Sequence, residues 1–149
     1  MKISMRLCGV LLLAASSALA LDKEIAGKMM EASQRLETDA RAISVALKSK
    51  NAAVDEVHKR LAQMDADMAK LQESVSEVEA SELEMSARDK RDWELLKTKV
   101  KLLEVFHTNK KALAAEDVMK NRTMIRAHAD GVALRAMKLR QTAAGLQKS

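Results

Sequence analysis

Apolar residues recur at a seven-residue period along the first half of this chain. With Ala26 at position a, the a positions run Ala26, Ser33, Ala40, Leu47, Val54, Leu61, Met68, Val75 and Glu82. The d positions run Met29, Leu36, Ile43, Lys50, Val57, Met64, Leu71, Val78 and Met85. Fifteen of these eighteen positions are apolar in a single frame, and a strict repeat of that length marks a left-handed coiled coil. The pattern predicts one continuous arm over residues 21–86, roughly 90 Å long at the rise of an α-helix. A break near Lys48-Ser49-Lys50-Asn51 would give a three-helix bundle instead, but the register runs through that point unbroken.

The frame fails between Ser86 and Asp92, where the seam slots hold Asp89 and Asp92. A buried seam cannot pass through unpaired carboxylates, so residues 87–92 are expected to form a polar turn or break, with Ser86 or Asp92 as a helix N-cap. A second pattern follows over 93–149: Trp93, Leu96, Val100, Leu103, His107, Lys111, Ala114 and Val118. It resumes with Ile125, Ala129, Val132, Ala136, Leu139 and Ala143, an alanine-rich seam suited to close helix approach. Gly131 lies off that seam and reads as a tolerated weak point. Gly145 and Lys148 read as a fraying end.

Composition narrows the fold to all-α. There is no proline or tyrosine, Trp93 and Phe106 are the only aromatics, and strong helix formers dominate. With so few large aromatics, thin helix–helix seams are expected rather than a thick core. The first twenty residues belong to a different category. Lys2 and Arg6 precede an apolar run from Leu7 to Ala15, and Ala18-Leu19-Ala20 supplies small residues for cleavage, the layout of a signal peptide over 1–20. The run is too short for a transmembrane anchor. Export to the periplasm or beyond is expected, with a bacterial source favoured. Cleavage would remove Cys8, the single cysteine, so packing alone would stabilise the mature chain.

Charge separates the two arms. Residues 22–86 hold fourteen acids and nine bases, whereas 87–149 hold fifteen bases and seven acids. Arms of opposite charge and matched length favour an antiparallel helical hairpin over parallel pairing of identical chains, which would set like charges side by side. Small residues in the flanking positions of the first arm suit association of such hairpins into an oligomer.

Little in the sequence suggests reaction chemistry. His58, His107 and His128 are far apart and lack metal-ligand spacing. The methionines invite a Cu(I) reading, but Met29, Met64, Met68 and Met85 occupy seam slots where adaptable core filling explains them. No phosphate loop or nucleophile elbow occurs. No catalytic residue, metal or cofactor is expected. The basic residues Lys120, Arg122, Arg126, Arg135, Lys138 and Arg140 form a candidate surface for an anionic lipid or envelope polymer. Nucleic acid is not expected, since export and the lack of stacking aromatics argue against it. Asn121-Arg122-Thr123 matches a glycosylation sequon, relevant only in a eukaryotic host.

These features lead to an exported, non-enzymatic coiled-coil structural or interaction protein, oligomeric and bridging or spacing cell-envelope components. The alternative is a holdase-type chaperone gripping unfolded clients between its arms, which requires an open, Met-lined surface. In outline such a hairpin resembles the periplasmic tentacle chaperones. Neither Leu21-Asp22-Lys23-Glu24 nor Ala143-Ala144-Gly145-Leu146 offers the strand with which those proteins close a β-body.

Overall fold

The computed structural model describes residues 22–81 and 84–148. The expected signal peptide over 1–20, including Cys8, lies outside the described residues, as does the heptad position Glu82. Four helices follow in order: α1 (Lys23–Ala46), α2 (Val54–Ala80), α3 (Ala87–Asp117) and α4 (Arg122–Lys148). The described residues contain no strand, so the all-α expectation holds.

Each expected arm is folded in half, and the result is a four-helix bundle. Helix α1 packs on α2 and α4, and α3 packs on α4 and α2, so the helices follow one another around a ring. The bundle is roughly 40 Å long, set by helices of 24 to 31 residues. The first arm turns at 47–53, close to the Lys48-Ser49-Lys50-Asn51 segment whose break the unbroken register argued against. The connection contains seven residues, one heptad. The chain therefore re-enters α2 in phase, and the frame runs on across the reversal with only Lys50 out of character. Leu47 stays in the core at 1 % exposure while Lys50 projects into solvent.

The polar segment expected over 87–92 is instead the first turn and a half of α3. Ser86 caps that helix: its Oγ accepts from the Asp89 amide at 3.1 Å and donates to the Asp89 carboxylate at 2.7 Å. The cap satisfies an otherwise orphan amide, which is why the helix begins here without glycine or proline. The second arm also reverses, over 118–121. Asp117 accepts from the amides of Met119 and Lys120 at 2.9 Å each. The Asn121 side chain donates to the Leu113 carbonyl at 3.0 Å, so the sequon asparagine closes this turn. The C-terminus continues as helix to Lys148 rather than fraying, with Leu146 in the core.

Side-chain size governs how closely the helices approach. Seven buried alanines lie on α1 and α4 (Ala26, Ala32, Ala40, Ala129, Ala133, Ala136 and Ala143), and this pair makes the most extensive contact. On α2 and α3 the interior positions hold Met64, Met68, Trp93, His107 and Lys110, and this contact is the slimmest in the ring. The arm charges meet across two seams. Lys97 reaches Glu79 at 3.0 Å and Lys111 reaches Asp65 at 2.7 Å between α3 and α2. Arg140 reaches Glu37 at 3.1 Å between α4 and α1. The first arm also pairs internally, through Arg35 with Asp67 at 2.9 Å and Arg60 with Asp39 at 2.8 Å.

Candidate functional site

The slim α2–α3 seam carries the most unusual chemistry of the interior. The second-arm pattern runs from His107 to Lys111, yet the helix buries Lys110 completely and leaves Lys111 exposed. The seam follows 3,4 spacing from His107 to Lys110 to Ala114, so an ammonium-bearing side chain enters the core. Its Nζ donates to the Met64 sulfur at 3.2 Å, a weak acceptor. Burial drives its pKa down from 10.5 to about 7, and Asp39 and Asp65 only partly oppose that shift.

His107 lies one turn away, with Nε2 at 2.7 Å from Asp65. Burial lowers its pKa below 6.5 and outweighs the hydrogen bond to Asp65. At neutral pH the ring is therefore uncharged, with Nε2–H donating and Nδ1 buried without a partner. Burial pulls the Asp65 carboxyl upward, but hydrogen bonds from Lys111 and His107, with the charges of both, hold it below 3.8. An acid–histidine pair beside an amine that titrates near pH 7 has the ingredients of proton-transfer chemistry. Lys110 is 0 % exposed, and the hollow of about 340 Å³ beside Asp65, His107 and Lys111 is not lined by Lys110. The cluster is a polar layer of the bundle interior, of the kind that structural networks also produce.

The predicted basic surface divides. Arg140 is bound to Glu37 on α1, and Arg122 donates at 3.4 Å to the Ser49 carbonyl in the connection between α1 and α2. Arg126 is half-buried with its Nε unpaired. On the α3 side, Arg135 stacks over the Phe106 ring at 3.9 Å. Lys120, in the turn between α3 and α4, and Lys138, on α4, remain exposed. The structure thus does not gather the six cations into one patch.

Among the histidines, His58 is exposed and His128 meets Phe106 edge-on at 5.6 Å. No three His, Cys, Asp or Glu side chains gather as metal ligands among the described residues. Met29, Met64 and Met68 line the core, whereas Met124 is exposed. No described helix is long and apolar enough to cross a membrane.

No protein family, curated protein or solved structure matches this chain. The functional reading therefore rests on its own surface. There α3 stands apart, because its apolar residues occupy two faces. Trp93, Leu96, Val100 and Leu103 point inward, while Leu95, Leu102 and Val105 are 49 %, 43 % and 53 % exposed. The outer row did not emerge from the sequence pattern because a helix apolar on both sides blurs the periodicity that marks either. The signal available was a second 3,4 spacing, offset from the first. A surface groove of about 700 Å³ along α1 and α2 is bordered by Arg35, Asp67 and Lys70, whose charges already satisfy one another.

Proposed function

We propose that this chain is an exported, non-enzymatic interaction module that joins or spaces components of the cell envelope through the outer face of α3. The observation that carries this reading is the row Leu95, Leu102 and Val105, left uncovered on a helix whose opposite face already completes the core. Large apolar side chains aligned on one exposed helix face are typical of surfaces that receive another helix. Export rests on the layout of residues 1–20. Lys120, exposed in the turn that follows α3, and Lys138, exposed on the adjoining helix, offer secondary attraction to an anionic envelope polymer or lipid.

A photo-activatable residue at position 102, tested in living cells, examines the proposal directly. The expected result is a discrete adduct from position 102 and none from an exposed position on the far side, such as Lys70. Absence of any adduct at position 102 would refute the interface.

A further inference from the structure

The outer face of α3 is a heptad in its own right. Leu95, Leu102 and Asn109 occupy its a positions, and Thr98, Val105 and Ala112 its d positions, with Arg91 before them and Glu116 after them. All eight are exposed, on the pole of α3 opposite the bundle core. The row changes character along its length, from a cation through apolar and polar positions to an anion.

We propose that this row docks on the same row of a second copy of this chain, with the two α3 helices antiparallel about a two-fold axis between Leu102 and Val105. The inference rests on the reading that the α3 face is an interface, and it names the partner. Antiparallel pairing brings a positions against d positions, and a two-fold axis makes every contact occur twice. Leu102 then meets Val105 of the partner subunit, and Leu95 meets Ala112 of the partner subunit. Thr98 meets Asn109 of the partner subunit, polar against polar. Arg91 meets Glu116 of the partner subunit, so both ends of the seam close on opposite charges. The flanks are compatible: Glu94 faces Ala115 of the partner subunit, and Lys101 faces Thr108 of the partner subunit. A parallel arrangement would instead set Arg91 against its own copy and Glu116 against its own copy, repulsion at both ends. Charge complementarity therefore selects both the occupant and its direction. With three large apolar side chains per copy, the contact belongs to the weak, exchanging class of interfaces.

Sedimentation equilibrium of the purified protein over a range of concentrations tests the proposal. The expected result is a reversible monomer–dimer equilibrium, abolished by Leu102→Lys. Arg91→Glu alone and Glu116→Arg alone should each weaken dimerisation about tenfold by opposing like charges, and the two together should restore it. All these positions are exposed, so each variant is expected to fold, with an unchanged helical circular-dichroism spectrum as the check. A monomer at every concentration, a dimer indifferent to Leu102→Lys, or a double variant no better than the singles would overturn the proposal. A monomer that still gives a position-102 adduct with a different protein would overturn self-docking alone, whereas the lack of any adduct would overturn the interface reading too.

Discussion

Two residues carry meanings that their types alone do not reveal, and Gly131 is the clearer. In the middle of a helix glycine is costly, and a weak point was the natural reading of the sequence. The structure places the Phe106 ring directly over it: a Cβ there would lie 3.0 Å from both Cδ1 and Cε1 of the ring and 3.3 Å from the Arg135 guanidinium. The glycine makes room for the ring on which Arg135 stacks, so it is a packing device. Gly27 in α1 has nothing within 4 Å of its own added Cβ. Alanine at position 27 should therefore stabilise the protein by about 0.5 to 1 kcal/mol, the ordinary helix-propensity gain. Alanine at position 131 should forfeit that gain and lower stability by about 1 kcal/mol as the Phe106–Arg135 stack is displaced. Urea denaturation of the two variants compares them directly, and equal stabilisation by both would contradict the packing role.

At the scale of the helix, the sequence showed helices well and their ends poorly, for a physical reason that differs at each end. Most a and d residues of the first frame line the core, from Ala26 through Leu71 to Val78, with Val54 and Val75 partly buried and Lys50 in solvent. The repeat records which face of a helix is buried, but it says nothing about direction, and a seven-residue turn at 47–53 returns the chain to the same phase. Only Lys50 at a d position and the adjoining Lys48-Ser49-Lys50-Asn51 polarity signalled the reversal. At the other breaks, Ser86, Asp117 and Asn121 do the work usually left to glycine or proline, through side-chain hydrogen bonds to backbone groups. The Ser86 cap was readable as an alternative because serine before a helix is a recognised signal. The double-faced character of α3 was not readable as one pattern. Its two apolar rows sum to near-uniform hydrophobicity around the helix, and burial is needed to tell the row that closes the core from the row that faces outward.

At the scale of the whole molecule, the consequence of building one slim seam around Lys110 is a stability that should rise with pH through the neutral and mildly alkaline range. The sign follows from proton binding. The Lys110 amine has a pKa of about 7 in the folded chain against 10.5 when solvated, so between these values the unfolded chain binds more protons and alkalinity favours folding. Below about pH 7 the amine is charged in both states and the full burial penalty applies. His107, depressed below 6.5, extends the same trend downward, since folding weakens further as its unfolded form takes up a proton. The raised pKa values of Lys28 and Lys97 act only above 10.5, and both side chains are too solvated to compete. Denaturant midpoints should therefore climb from pH 7 to pH 10, by about 3 to 5 kcal/mol of stability. Lys110→Met is the decisive control. Methionine fits beside Met64 with similar length, and its introduction orphans no acid, because Asp39 keeps Arg60 and Asp65 keeps Lys111 and His107. Replacing a buried charge by a packed apolar chain should stabilise the protein at pH 7 by about 1 to 4 kcal/mol and flatten the profile between pH 7 and pH 10. A wild-type profile already flat over that window, or a variant that keeps the slope, would show that the amine is not the group that sets it. If the slope and its loss are both seen, the α2–α3 seam is the part of the bundle whose strength varies with acidity. The α1–α4 seam, closed by alanine and without a buried amine, should hold through the same range.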